Sequence, residues 1–108
     1  RIILSQAALY VATAPKSNAC YMAIDKALDV VKNSKTAPVP VHLQDAHYKG
    51  SAKLGHGVGY LYAHDYPNHY VRQQYLPDAY VNEKFYEPGD MGYERDIKKH
   101  LDKIKSEA

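Results

Sequence analysis

Residues 2–13, IILSQAALYVAT, are apolar at Ile2, Leu4, Ala8, Leu9, Val11 and Ala12, and these positions spread around most of a helical surface. Such a helix is expected to be buried on most sides. Pro15 ends it, because Ala14 before the proline is pushed out of helical angles. Ser17 is a suitable N-cap for a second helix over 18–33. There Tyr21, Ile24, Leu28 and Val31 recur at helical spacing, widened by Cys20 and Ala27, and predict the face that packs inward. Asp25, Lys26, Asp29 and Lys32 fall largely on the opposite side. The stretch NSKTAPVP, 33–40, reads as a loop.

Pro40 can open a short helix over about 40–48, and Ser51–Leu54 can add a turn. Gly55, Gly57 and Gly59 then break regular structure. From 60 to 88 the runs YLY, YVRQQYL and AYVNEKFY are locally β-like, but Pro67, Pro77 and Pro88 cut them short. Extended segments, turns and at most one small β-hairpin are expected there. The last helix is the clearest. Asp90 can cap it, Tyr93, Ile97, Leu101 and Ile104 form one apolar face, and Glu94 and Lys98 stand in the favourable i, i+4 order.

Composition narrows the fold without naming a function. The 108 residues suit one domain, residues 1–108, of mainly α class, a compact helical domain with an irregular Gly/Tyr/His-rich centre. Eleven tyrosines, one phenylalanine and no tryptophan place most rings at the edge of a core, since a phenol needs a polar partner. A formal charge of +2 does not by itself indicate a nucleic-acid partner. One cysteine, Cys20, excludes an intrachain disulfide and fits a reducing, cytoplasmic setting. No apolar run approaches the ~20 residues of a membrane span, so no membrane partner is expected. The start at Arg1, inside a helical pattern, suggests a piece of a longer protein.

Candidate chemistry concentrates in HYKGSAKLGHGVGYLYAHDYPNHYV, residues 47–71. His42, His47, His56, His64 and His69, with Asp45 and Asp65, invite a metal site, but HxxxH, HExxH and cysteine pairs are missing and no zinc-ligand spacing emerges. Cys20 lies on the expected buried face, where a thiol is inert. No GxSxG elbow, no spaced carboxylate pair and neither GxxxxGK nor GxGxxG is present, so no catalytic or cofactor-binding set is expected in this chain. Lys49, Lys53 and Arg72 interleave with tyrosines and could contact a nucleic-acid strand. Three basic residues against two acids over 42–75 make a thin electrostatic footprint. Self-association through tyrosines and the apolar first helix is the other possibility.

Longer strings carry a resemblance. ATAPKSNACYMAIDKAL (12–28), PVHLQDAHYKGSAKLGHGVGYLYAHDYPNHYVRQQYLPD (40–78) and FYEPGDMGYERDIKKHL (85–101) resemble, in order and over nearly the whole chain, the C-terminal region of the replication-associated recombination protein A family. These are bacterial AAA+ ATPases also called MgsA, similar to the eukaryotic Werner-helicase-interacting protein. Where the family often carries Arg in HLRDA, this chain has Gln44.

The resemblance implies a helical domain similar to the clamp-loader collar that assembles a homotetramer. It implies that ATP and Mg are bound by ATPase and lid modules outside this chain. It also implies a parent protein in the bacterial cytoplasm, associated with the nucleoid. That parent would act at stalled forks and DNA gaps, with DNA and single-strand-binding protein as partners. Within this chain, Tyr48, His56, Tyr60, His64 and Asp65 are then expected to form a structural heart, with His56 or His64 bonded to a carboxylate or carbonyl. Tyr62, Tyr66 and Tyr70 are interface candidates. Lys49, Lys53 and Arg72 are the candidate DNA contacts of the alternative.

Overall fold

Three α-helices flank a central stretch of turns in a computed structural model that describes residues 1–107. They are α1 (Ile2–Thr13), α2 (Ala19–Asn33) and α3 (Tyr93–Glu107). Between α2 and α3 lie five single 3-10 turns, at Val41–Leu43, Ala52–Leu54, Ala63–Asp65, Pro67–His69 and Asp78–Tyr80. The mainly α class is as expected, with no strand among the described residues. The radius of gyration is 18.5 Å and the extents are 53 × 38 × 35 Å. A closed globule of this length would have a radius near 13 Å. The elements are therefore splayed, and Val71 and Ser51 are the buried positions among the described residues.

Helix α1 ends where the proline rule places it, with Ala14 at φ −70° and ψ 144°. Thr13 Oγ1 donates back to Leu9 O at 2.7 Å. Helix α2 begins at Ala19, and Ser17 Oγ accepts the Ala19 N–H at 3.1 Å. Its packing departs from expectation. Ala19, Ala23, Ala27 and Val30 are its half-buried positions, whereas Tyr21, Ile24, Leu28 and Val31 are exposed. The chain packs α2 by its small side chains, which let a backbone strap come close.

That strap is the run without regular structure over residues 83–89, which follows the turn at 80–83. Lys26 Nζ donates to Lys84 O at 2.5 Å, pairs with Glu83 Oε2 at 3.1 Å and sits 5.7 Å from the Phe85 ring centroid. Tyr80 donates to Lys35 O at the far end of α2. The strap thus runs antiparallel to the helix. It delivers the chain to Gly92, where a Cβ would lie 2.9 Å from Pro15 Cγ and φ is +59°. Only glycine permits that approach with that dihedral.

Helix α3 starts at Tyr93, and Asp90 does not cap it: its carboxylate takes Lys98 Nζ at 2.8 Å. The expected Glu94–Lys98 pair is replaced, because Glu94 Oε2 accepts the Gly89 N–H at 3.0 Å and the Tyr86 hydroxyl at 3.3 Å.

The helix expected over 40–48 is one turn long. Gln44 is extended, its side chain donating to Val39 O at 2.9 Å, and Asp45 Oδ1 accepts the His47 N–H at 2.9 Å. Side chains that bond nearby backbone in this way compete with a helix. The expected hairpin is likewise not formed. Its one cross-link is a side-chain amide: Gln73 Nε2 donates to Leu61 O at 2.9 Å, and its Oε1 accepts the Leu61 N–H at 3.3 Å.

Candidate functional site

Two surfaces emerge. The first is the ring-rich centre. At its entrance Ser51 Oγ donates to Ala46 O at 2.9 Å, and Gly57 N–H reaches Val41 O at 2.8 Å. Gly57 has φ +75°, and a Cβ there would lie 2.7 Å from Ala46 Cβ. Its glycine therefore supplies both the left-handed turn and the clearance that folds 46–51 against 55–57.

On this frame Tyr48 and His56 meet. The phenol oxygen lies 2.6 Å from His56 Nδ1, and the rings are edge-on at 5.8 Å. The partner of His56 is a hydroxyl, not the carboxylate or carbonyl expected. His42 Nε2 lies 2.7 Å from Gln74 O, and His47 Nδ1 lies 2.9 Å from Asp45 Oδ1. The His47 backbone N–H, and then its ring, hold the Asp45 carboxyl below its ordinary value. Tyr60 borders the hollow beside Asp45 and His47. These histidines bind separate partners, and among the described residues no three His, Cys, Asp or Glu side chains converge to hold a metal ion.

Further along, Tyr62 and His64 stack at 4.9 Å and 21°, and His69 closes on His64 at 5.0 Å. Tyr62 is 54 % exposed, and both histidines are exposed. The backbone that brings His69 round is strained: Asn68 and His69 have φ of 56° and 54°. Left-handed angles cost about 1–2 kcal/mol for a residue with a Cβ. Asp65 donates its N–H to Tyr62 O at 3.0 Å, closing the turn beneath the stack. Tyr66 and Tyr70 border the hollow that separates this loop from α3. Sequence reasoning named His69 only among the histidines weighed as metal ligands, not as a neighbour of Tyr62 and His64. Asn68, a residue tolerant of left-handed angles, was the available signal.

Of the basic trio, Lys49 and Lys53 are exposed on the turn after Tyr48. Arg72 Nη2 donates to Lys105 O at 2.6 Å in the last turn of α3. That contact anchors the helix end, where a cation meets the negative end of the helix dipole.

The second surface is apolar. Ile2, Ile3, Leu4, Leu9, Tyr10 and Val11 of α1 are all exposed, Ile3 at 81 %. The outward face of α2 adds Tyr21, Met22, Ile24, Leu28 and Val31, the last at 75 %. A helix apolar on all sides is a core helix. Covering the six large side chains of α1 is worth on the order of 10 kcal/mol by transfer. A patch of this kind marks an interaction site. No helix of the structure is long and apolar enough to cross a membrane.

Comparison with known proteins adds the following. The family described as MgsA AAA+ ATPase C terminal matches residues 1–105. Replication-associated recombination protein A of Bacillus subtilis is 45 % identical over 105 residues, covering 96 % of this chain and 25 % of the relative. The protein of the same name in Escherichia coli K12 is 38 % identical over 99 residues, covering 91 % and 22 %. ATPase WRNIP1 of Dictyostelium discoideum is 37 % identical over 83 residues, covering 76 % of this chain and 10 % of the relative. The chain thus spans about a quarter of the bacterial relatives' length.

Proposed function

The chain belongs to the MgsA AAA+ ATPase C-terminal family, and on that premise we propose that it is the self-association module of a replication- and recombination-linked AAA+ ATPase, joining copies into a homotetramer. One observation carries this: α1, apolar all round, has no covered side chain within its own copy. A second copy supplies a matching surface, because the outward face of α2 is equally apolar and exposed. Helix on helix, with Leu, Ile, Val and Tyr on both sides, gives the apolar centre of an obligate interface.

The chemistry then belongs to the rest of the longer polypeptide, which binds ATP and Mg²⁺, while this chain fixes how neighbouring subunits face one another. The assembled protein works in the bacterial cytoplasm at stalled forks and DNA gaps, with DNA and single-strand-binding protein as partners. The name that the relatives share, replication-associated recombination protein A, supports the link to replication and recombination. Multi-angle light scattering on the chain tests the self-association. A mass rising with concentration towards four copies is expected. A single-copy mass throughout the accessible range would remove the proposal.

A further inference from the structure

A hollow of about 610 Å³ lies between the connection that follows α2 and the turn at Asp78–Tyr80. That volume suits a small molecule. None of its lining residues belongs to α1, α2 or α3, so it stands apart from the apolar helix faces. One wall is Pro38, Val39, Pro40 and Pro77. The prolines have a fixed φ and carry no N–H, which makes this wall stiff and short of backbone donors.

The polar side chains of the hollow are His42, Gln44, Gln74 and Asp78, and their hydrogen bonds can be accounted for atom by atom. Gln74 Nε2 donates both its hydrogens, to Leu76 O at 2.8 Å and to Asp78 Oδ1 at 2.7 Å. Both partners are acceptors, which fixes the orientation of the amide and leaves Gln74 Oε1 free to accept. His42 Nε2 lies 2.7 Å from Gln74 O, a carbonyl that has no proton to give, so this nitrogen carries the hydrogen. Nδ1 of the neutral ring is then an acceptor as well. Gln44 spends one N–H on Val39 O and keeps its Oε1 and its other N–H. Asp78 Oδ2 is unbonded, and Asp78 makes no ion pair among the described residues. The free side-chain valences are therefore nearly all acceptors. No Lys or Arg lines the hollow, and its one formal charge is the Asp78 carboxylate.

We propose that this hollow binds a small aliphatic amine as its ammonium ion. An ammonium brings three donors and no acceptor, the complement of what Asp78 Oδ2 and Gln74 Oε1 offer. The alkyl chain lies along Pro38, Val39 and Pro77 and gains by leaving water. An anion of the same size meets the carboxylate, and an alcohol forgoes the charge. Asp78 is exposed, so the ion pair adds little and weakens with salt, and the apolar wall supplies the remainder. This site is separate from the self-association surfaces and does not depend on them.

The test titrates the ¹⁵N-labelled chain with n-pentylamine at millimolar concentration, and with 1-pentanol and pentanoate as controls of equal length. Pentylamine should shift the Gln74 side-chain amide and the backbone amides of Val39, His42 and Asp78 along one saturable curve. Pentanol should bind more weakly and pentanoate not at all. Asp78→Asn, which keeps the bond to Gln74, should weaken pentylamine binding about fivefold and leave pentanol unchanged. Val39→Lys, at a position that is 56 % exposed, should fill the hollow with the chain's own ammonium and abolish binding. Circular dichroism identical to the parent chain establishes that each variant folds. No saturable shift, shifts confined to other residues, or equal affinity for pentanol or pentanoate would each overturn the site. Full affinity in folded Asp78→Asn and Val39→Lys would do the same. Tighter binding of Nα-acetyl-lysine methylamide than of pentylamine would overturn a free amine as the occupant.

Discussion

In α1 every interior backbone bond is made within the helix and no side chain is covered; between residues 41 and 75 the backbone is held by turns and by side chains instead. There the backbone is mostly irregular, yet side chains reach across to satisfy it: Gln73 to Leu61, His42 to Gln74, Ser51 to Ala46. The central segment fixes its own shape by local bonds and left-handed glycines, with little apolar burial. The helix fixes its own backbone but leaves its apolar surface for something else to cover. A mainly α chain of this size thus divides its labour: one region is locally determined, and the other is completed by contact.

The contrast predicts different responses to substitution. The largest effect is expected at α1. Replacing Leu9 and Val11 together by Asp should weaken self-association by at least 100-fold, about 3 kcal/mol, in sedimentation equilibrium, since two exposed apolar side chains would otherwise become interfacial. Helical content at low concentration should change little. In the central segment the sensitive position is Gly57. Gly57→Ala should cost about 1–3 kcal/mol in urea unfolding, because the new Cβ meets Ala46 and φ is positive. Self-association per folded chain should survive. Gln73→Leu comes next, at about 0.5–1 kcal/mol, by removing both amide bonds to the exposed Leu61 peptide, which water can then satisfy.

The strap and the start of α3 give the smallest effects, and these depend on pH. The Ser17 hydroxyl, the Gly89 N–H and the Tyr86 hydroxyl hold the Glu94 carboxyl below its ordinary value. A depressed carboxyl stabilises the fold above its unfolded value, and that contribution is lost as pH falls through the folded one. Glu94→Gln should therefore flatten the acid limb of a thermal-unfolding profile. Lys98 is shifted up, first by its hydrogen bond to Asp90, so its contribution is complete below its unfolded value and fades as pH rises through the folded one. Both groups are solvent-exposed, and salt should diminish the two effects.

Much of this architecture was legible before any coordinates. The three helices stood out because apolar spacing and proline stops are local signals. The inward face of α2 was not legible: bulk hydrophobicity pointed to Tyr21, Ile24, Leu28 and Val31, while close approach of the strap required Ala19, Ala23 and Ala27. The short helix over 40–48 failed because Gln44 and Asp45 offered the backbone competing bonds. His69 was noted as a metal candidate, but its meeting with His64 was not, because that depends on a left-handed pair at 68–69, which no spacing rule reveals. The glycine-rich run was readable as a break in regular structure, and Gly55, Gly57 and Gly59 all have positive φ.

Hydroxyl-radical footprinting of Ile3, Leu9, Tyr10 and Val11 across a dilution series addresses the covering of α1 most directly. Labelling should be strong in dilute solution and fall several-fold as the chain is concentrated, with Lys49 and Lys53, far less apolar, changing little. Equal labelling of the α1 residues at every concentration would mean that copies of this chain do not cover that helix.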